Sequence, residues 1–284
     1  MGYSVINFST VADLITKVEA AMITAGWTDT GLNGSLGSAS GNILVSAADA
    51  AGRVCYVELY VDTAGRLGIH PSPVLNSGGT DIDGNYDLFR AADFQAGDWE
   101  CFIYDDMVWC GRGTDPDNYK FGFGLFGVFQ NVDVSLHPYA CFMFGTYGID
   151  GGAALRPRPL SRNENAGGVY YTYGLGDGIW KRIGILLFSH VTSTGGVGGW
   201  QPDIGFPDDT TLMCHLPYIC GTVSSVNDAG AMLGFLNHAI IAWKDVLLNA
   251  GDRVTLDGGT TYYRFGWKSQ DFDYVTEEHL MFEV

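Results

Sequence analysis

The chain has 284 residues, of which 32 are Asp or Glu and 15 are Lys or Arg, giving a formal net charge of -17. Nucleic acids and anionic membranes bind basic surfaces, so this acidic composition argues against both as partners. Forty glycines and 46% hydrophobic residues predict a turn-rich β protein that buries a substantial core.

The sequence shows no signal for export or for membrane insertion. No apolar run reaches the about 18 residues that a membrane span requires, and residues 1–6 lack the charged and apolar regions of a secretory signal. We therefore expect a soluble protein that is made in the cytoplasm. The six cysteines are widely spaced without a C-x-x-C pair, which favours reduced, buried thiols.

The first predicted element is an amphipathic helix over residues 8–28. Ser9 or Thr10 provides the N-cap, Asp13 lies in the first turn, and Gly26 ends the helix. We expect its apolar stripe to pack against a sheet and not to serve as a partner site. The stripe has helical spacing and consists of Val11, Leu14, Ile15, Val18, Met22 and Ile23.

Two alternating strands are predicted next, over residues 42–46 and 53–61, after a Gly/Ser-rich loop at 31–41. The second strand separates two kinds of side chain because alternate residues of a strand point to opposite faces. Its predicted buried face carries Cys55, Val57, Leu59 and Val61, and its other face carries Tyr56, Glu58 and Tyr60.

An acidic segment places oxygen ligands at alternate positions, as calcium-binding loops do. The EF-hand pattern nevertheless fails at two positions, where Tyr86 replaces the required glycine and Ala92 replaces the required glutamate. An acidic turn without a metal is therefore the favoured interpretation. The candidate ligands are Asp81, Asp83, Asn85 and Asp87.

A β-hairpin is predicted over residues 99–104 and 107–110, with Asp105 and Asp106 as its two-residue turn. A third strand, rich in glycine and phenylalanine, is predicted over residues 119–129. We expect the two adjacent carboxylates to point apart and into water, so they do not suggest a catalytic pair.

The segment 151–168 is the only locally basic part of this acidic chain. It is predicted to be a long surface loop, either a linker between two β-rich halves or an arm that reaches a neighbouring subunit. In the second case, its guanidinium groups would contact acidic surface on the neighbour. These groups belong to Arg156, Arg158 and Arg162.

Further strands are predicted over residues 169–173, 183–191 and 239–244, and the Asp257-Gly258 turn predicts a hairpin of 253–256 with 260–267. The fold class predicted from all elements is mainly β: an antiparallel β-sandwich or barrel-like body with one N-terminal amphipathic helix. The predicted organisation is a helix in 1–30, a β-rich half in 31–150, a loop or arm in 151–168 and a second β-rich half in 169–284, unless all form one domain.

No motif for catalysis or cofactor binding emerges from the sequence. G-x-S-x-G, H-E-x-x-H and the phosphate-binding Gly-Lys-Ser/Thr are absent, and the G-x-G-x-x-G match at 122–127 lacks the βαβ context of a dinucleotide site. His70 and His137 precede prolines and are predicted to lie in turns. Three residues offer zinc ligands but lack paired knuckles, so core thiols and a turn histidine are favoured; they are Cys214, His215 and Cys220.

We therefore predict no catalytic residue and no cofactor. A glycosidase remains an open alternative, because aspartates and aromatic residues are abundant, as they are in sugar-binding clefts.

Several of these segments resemble a group of bacteriophage virion structural proteins that are often tail-associated. The resemblance lies in an aromatic hairpin, a Tyr/Phe/Gly-rich strand and a Pro-Tyr-Ala segment, and it extends to a helix that ends in Gly-Trp and to a final series of short strands. The matching segments are residues 25–28, 99–110, 119–129, 137–140, 254–256, 262–266 and 280–284.

The resemblance implies a non-enzymatic virion component, located in the tail, baseplate or neck after synthesis in the host cytoplasm. Its expected partners are other virion proteins and copies of itself in a homo-oligomer. A virion later meets oxidising surroundings, where Cys214 and Cys220 are able to pair. The alternatives are a carbohydrate-binding or host-adhesion β module and a capsid decoration protein.

Overall fold

The computed structural model describes residues 2–32, 43–61, 65, 67–79, 96–111, 122–131, 140–144, 170–173, 180–181, 183–186, 214–215, 218–221, 232–242, 251–264 and 279–284. Within these ranges the chain forms one helix and twenty strands, and every strand pairing between them is antiparallel. The prediction of a mainly β fold with one N-terminal helix is confirmed. None of the described helical residues forms a segment long and apolar enough to cross a membrane.

The elements of the first part of the chain are β1 (Tyr3–Phe8), α1 (Val11–Ala25), β2 (Thr28–Asp29), β3 (Ile43–Ala48), β4 (Val54–Val61), β5 (Leu67–Ser72), β6 (Gly97–Ile103), β7 (Met107–Gly111), β8 (Gly122–Val128), β9 (Gln130–Asn131) and β10 (Cys141–Phe144). Those of the second part are β11 (Tyr170–Tyr173), β12 (Trp180–Lys181), β13 (Ile183–Leu186), β14 (Cys214–His215), β15 (Tyr218–Gly221), β16 (Met232–Phe235), β17 (Ala239–Ala242), β18 (Arg253–Thr255), β19 (Thr261–Arg264) and β20 (His279–Glu283).

The described strands form four sheets. A seven-stranded sheet has the order β1-β6-β7-β8-β10-β11-β12, and a five-stranded sheet has the order β14-β17-β20-β19-β18. Two four-stranded sheets have the orders β2-β3-β4-β5 and β13-β15-β16-β9. Strands from both sides of segment 151–168 thus share two of the sheets. The domain boundaries themselves stay a prediction.

The helix begins and ends through local hydrogen bonds that its sequence specifies. The Thr10 hydroxyl accepts from the backbone N–H of Asp13 at 3.1 Å, and the N–H of Gly26, at φ 121°, bonds to carbonyls of the last turn. The predicted helix was too long at its start, because Phe8 ends β1, which pairs with β6. Of the predicted stripe, Ile23 is 39% exposed, whereas the other five residues are buried.

The seven-stranded sheet is built around the predicted hairpin of β6 and β7, followed by β8. Side chains of these strands alternate between two covered faces. One face packs against α1 and the sheet of β3 and β4, and it includes Trp99, Cys101, Ile103, Val108, Cys110 and Phe126. The other face meets the five-stranded sheet, where the Phe282 ring lies 4.7 Å from Phe102 and 5.6 Å from Trp109, measured between ring centroids.

Strand β4 is buried on both faces. The predicted buried face is confirmed, since Cys55, Val57, Leu59 and Val61 are all buried. On the other face, however, Glu58 and Tyr60 are buried as well. Glu58 stands opposite His70 of β5. The prediction that His70 lies in a turn is wrong, because Pro71 is tolerated in β5, the last strand in its sheet.

The prediction of reduced cysteines is wrong for one pair. Cys55 of β4 and Cys141 of β10 form a disulfide with their Cα atoms 5.1 Å apart. They are 86 residues apart in the chain, and only the stacking of two sheets brings them together. Cys101 and Cys110 agree with the prediction: both are free and buried, and burial raises the pKa of the Cys110 thiol.

Several predicted features lie outside the described residues. These are the acidic segment with Asp81, Asp83, Asn85 and Asp87, the basic segment with Arg156, Arg158 and Arg162, and His137. For Cys214, His215 and Cys220 the structure describes the backbone strands but not the side chains. A disulfide between Cys214 and Cys220 therefore stays a prediction.

Candidate functional site

The turn of the β6–β7 hairpin differs from its prediction in the position of one carboxylate. The side chain of Asp105 is 70% exposed, as expected, but that of Asp106 is only 8% exposed. The expectation that both carboxylates point apart and into water is therefore wrong. Other parts of the chain cover the turn, and their approach buries Asp106.

The backbone of the turn is held from two sides. The indole Nε1 of Trp27, just after the helix, donates to the carbonyl of Tyr104 at 2.7 Å. On the other side, the N–H of Val128 donates to the carbonyl of Asp106 at 2.7 Å. This second approach requires Gly127, at φ 149°, because a Cβ there would collide with the Asp106 carbonyl.

A histidine from the second half of the chain completes the site. His238 lies in the turn between β16 and β17, and its Nε2 is 3.5 Å from Oδ1 of Asp105 and 3.6 Å from Oδ1 of Asp106. Its ring stacks on Tyr104 with centroids 4.3 Å apart and planes 7° apart. Its Nδ1 lies 2.8 Å from Oε2 of Glu283, so both ring nitrogens face carboxylates.

Strand β16 reaches this position because Gly234 has no side chain. A Cβ at Gly234 would collide with the carbonyl of Gln130 and the ring of Phe129, so the pairing of β16 with β9 depends on the glycine. The close pairing carries Asn237 and His238 to the hairpin turn. The sequence did not indicate this contact between the two turns, because 131 residues separate Asn237 from Asp106.

The two oxygens of Asp106 have different surroundings. Oδ2 accepts hydrogen bonds from Nδ2 of Asn237 at 3.1 Å and from Nε2 of Gln130 at 3.5 Å. Oδ1 is buried and accepts no hydrogen bond. Burial raises the pKa of the Asp106 carboxyl, and the charge of Asp105 raises it further, whereas His238 and the two amides oppose the shift.

The ring of Tyr104 stacks on His238, and its hydroxyl group contacts the last strand of the chain, β20. Its hydroxyl donates to the backbone carbonyl of Glu283, the residue whose carboxylate contacts His238. Burial raises the pKa of the Tyr104 phenol, and the nearby carboxylates of Glu283 and Asp106 add to the shift. The phenol is therefore neutral and acts as a hydrogen-bond donor.

Three residues here place ligand atoms within 4.8 Å of one another: Asp105, Asp106 and His238. The sequence singled out the two aspartates but missed His238 and Glu283. No spacing motif includes either residue, so no sequence signal pointed to them. Among the described residues, this is the group of His, Cys, Asp and Glu side chains with the spacing of a metal site.

Comparison with known protein families and with curated protein sequences finds no match to this chain.

Proposed function

We propose that this protein is a non-enzymatic structural component of a bacteriophage particle. In this proposal it is tail-associated, in the tail, baseplate or neck, and it acts by assembling with copies of itself and with neighbouring virion proteins. Its place of action is the virion, after synthesis in the host cytoplasm. The resemblance of its sequence segments to phage virion proteins is the starting point.

The observation that carries the proposal is that segments with this resemblance lie side by side in space. Segments 99–110 and 119–129 overlap β6, β7 and β8, which are consecutive in one sheet, and segments 254–256, 262–266 and 280–284 overlap β18, β19 and β20 of another. More than a hundred residues separate the two groups in the chain. The contact of Phe282 with Phe102 and Trp109 joins them.

Polar contacts extend the same junction. The hydroxyls of Tyr3 and Tyr263 both donate to Oε1 of Glu100, the first at 3.3 Å, and their rings stack with centroids 4.9 Å apart. Burial raises the pKa of the Tyr263 phenol, and its hydrogen bond to the Glu100 carboxylate adds to this shift. A resemblance that falls on one contiguous packed unit supports a shared architecture better than scattered matches would.

The runner-up function is carbohydrate recognition on a host-adhesion device, and the described tryptophans do not favour it. A sugar platform needs an exposed aromatic face, but Trp27, Trp99 and Trp109 are each at most 3% exposed. The tryptophans whose side chains the structure describes therefore serve the core. A capsid decoration protein would differ from the main proposal only in its place on the particle.

The test of the proposal is the composition of purified phage particles. We expect the protein in density-purified particles at several copies each, measured by quantitative mass spectrometry against a known major virion protein. A tagged copy should appear at the tail end in immunogold electron microscopy. Presence in the host lysate together with absence from purified particles would contradict the proposal, and label spread over the capsid would favour the decoration alternative.

The proposed arm in segment 151–168 is tested by reversing three charges at once. Replacing Arg156, Arg158 and Arg162 with Glu should lower particle yield, because each contact with an acidic neighbour becomes repulsive. If the segment is an arm, the melting temperature of the isolated subunit should change by less than about 2 °C, since charges on an arm contribute little to monomer stability. Equal losses in both measurements would show an internal linker instead of an arm.

A further inference from the structure

The geometry points to a metal-binding site: we infer that Asp105, Asp106 and His238 bind a divalent transition-metal ion of the Zn²⁺ type. The ligand atoms are one carboxylate oxygen from each aspartate and Nε2 of the histidine. The ion joins the β6–β7 turn to the β16–β17 turn. The inference does not depend on the proposed role in a phage particle.

The distances between the ligand atoms fit a tetrahedral ion. Ligands about 2.1 Å from a tetrahedral zinc ion are about 3.4 Å from one another. Nε2 of His238 lies 3.5 Å from Oδ1 of Asp105 and 3.6 Å from Oδ1 of Asp106. These two distances are within about 0.2 Å of the tetrahedral value, and all three ligand atoms lie within 4.8 Å of one another.

Asp106 supplies the observation that separates this group from an ordinary acidic surface. A buried carboxylate normally has partners for both oxygens, because an oxygen without one loses its hydration and gains nothing in exchange. In Asp106, two amides fix Oδ2, while the buried Oδ1 accepts no hydrogen bond and faces His238. A cation between Oδ1 and Nε2 would satisfy both atoms.

Glu283 supplies the orientation that metal-binding histidines require. Such histidines donate the N–H of their second ring nitrogen to a carboxylate or carbonyl, which leaves the first nitrogen unprotonated and correctly aimed. Nδ1 of His238 lies 2.8 Å from Oε2 of Glu283, and the stacking of the ring on Tyr104 fixes its plane. Nε2 then keeps its lone pair for a metal ion and lies at nearly equal distances, 3.5 and 3.6 Å, from Oδ1 of Asp105 and Oδ1 of Asp106.

The ligand types identify the class of ion. Calcium and magnesium prefer sites made entirely of oxygen ligands, whereas imidazole combined with carboxylates suits zinc and its neighbours in the first transition row. Three protein ligands leave a fourth position, and the exposure of Asp105 opens the site to solvent. Water takes that position in the isolated chain.

A different arrangement of the same atoms would need no metal. If His238 carried a proton on each nitrogen, it would form ion pairs with Asp105, Asp106 and Glu283. Added zinc distinguishes the two arrangements. If the three residues bind zinc, the stability of the folded protein rises with zinc concentration. If they form only ion pairs, zinc leaves the stability unchanged. Replacing the exposed Asp105 with a neutral residue also distinguishes them, because it removes a zinc ligand in the first arrangement and only an exposed ion pair in the second.

The experiment is calorimetric titration of Zn²⁺ into the full chain after treatment with a chelator and removal of the chelator. We expect one ion per chain at this site. His238→Gln should weaken its binding by about 100-fold or more and Asp105→Asn by about 10-fold or more, since each removes one ligand. The matched control is Asp257→Asn, which changes an exposed aspartate in another hairpin turn and should keep the wild-type affinity.

Thermal unfolding gives a second readout. Zinc at about 100 times its dissociation constant should raise Tm by about 5 °C or more in the wild-type chain. At the same zinc concentration the rise should fall to about half or less in Asp105→Asn, a change at an exposed position, because binding that is about 10-fold weaker or more leaves zinc at no more than about 10 times the variant's dissociation constant. Glu283→Gln keeps all three ligands but alters the partner of Nδ1, so it should weaken zinc binding by about 10-fold.

Three outcomes would overturn the inference. One is the absence of zinc binding to the wild-type chain. Another is zinc binding that neither His238→Gln nor Asp105→Asn weakens, because the ion then lies elsewhere. The third is binding of Mg²⁺ or Ca²⁺ as tight as that of Zn²⁺, which would contradict the role of the imidazole. If His238→Gln fails to fold, Asp105→Asn alone decides.

Discussion

Two hairpin turns of this protein each bury a carboxylate, and they differ in how they satisfy it. In the β3–β4 turn, Asp49 has a side chain that is only 2% exposed. Its Oδ1 accepts from the N–H groups of Ala51 and Arg53 at 3.0 and 2.8 Å, and its Oδ2 accepts from Nε of Arg53 at 2.7 Å. Every oxygen of Asp49 has a donor within four residues of chain.

In the β6–β7 turn, Asp106 is buried to a similar degree, but its donors come from distant parts of the chain and reach only one oxygen. The first arrangement closes a hairpin and stabilises the fold. The second costs stability, because desolvation of Oδ1 is not compensated by a hydrogen bond. Costs of this kind are typical of sites shaped for binding.

The largest expected effect concerns the glycines that support the two turns. Gly127→Ala should destabilise the protein by more than about 3 kcal/mol, because its Cβ would collide with the backbone of Asp106. Gly52→Ala, in the β3–β4 turn, should cost only about 1 kcal/mol: its φ of 79° is strained for alanine, but no atom lies within 4 Å of the new Cβ. Urea unfolding of both variants measures the difference.

Equal losses in the free energy of unfolding of these two variants would contradict the inference that Gly127 is tightly packed and Gly52 is not. Gly127→Ala should also impair zinc binding, because it displaces the turn that carries Asp105 and Asp106. Gly52→Ala should leave zinc binding unchanged, because the β3–β4 turn carries none of the proposed ligands.

A smaller effect separates the two carboxylates themselves. Asp49→Asn should destabilise the zinc-free protein by about 2 kcal/mol at pH 7, because it removes the negative charge opposite Arg53. Asp106→Asn should leave stability within about 1 kcal/mol of wild type or raise it, since the amide avoids burial of a charge. Chemical unfolding in the presence of a chelator tests both, and a large loss in Asp106→Asn would show that the Asp106 charge stabilises the fold.

The features that the sequence predicted correctly are those that local chemistry controls. Thr10 and Gly26 cap the helix through bonds to residues at most four positions away. The Asp105-Asp106 turn joins neighbouring strands, so its position also followed from the pattern. The alternation in β4 identified its buried face, because one apolar face per strand is a local signal.

The features that the sequence missed depend on contacts between distant residues. The sequence pattern does not predict strand β1 and assigns its last residue, Phe8, to the helix, because the partner strand β6 is about a hundred residues away. The Cys55–Cys141 disulfide and the burial of Glu58 follow from the stacking and pairing of sheets and strands. For the same reason the site was missed: His238 and Glu283 reach the β6–β7 turn only after β16, β17 and β20 have assembled.

The smallest expected effect is the pH dependence of the Asp106 contribution, measured without metal. Burial raises the folded-state pKa of Asp106 above its value in the unfolded chain, so the unfolded chain loses this proton first as pH rises. The stability of wild type relative to Asp106→Asn should therefore be highest below about pH 4, where the carboxyl is neutral in both states. It should fall as pH rises through the folded-state pKa and stay low at pH 7. Adding Zn²⁺ at pH 7 should restore the advantage of wild type, because the ion then neutralises the buried charge. A relative stability that rises with pH in the absence of metal would mean that His238 already compensates the charge of Asp106, and the contrast with Asp49 would no longer hold.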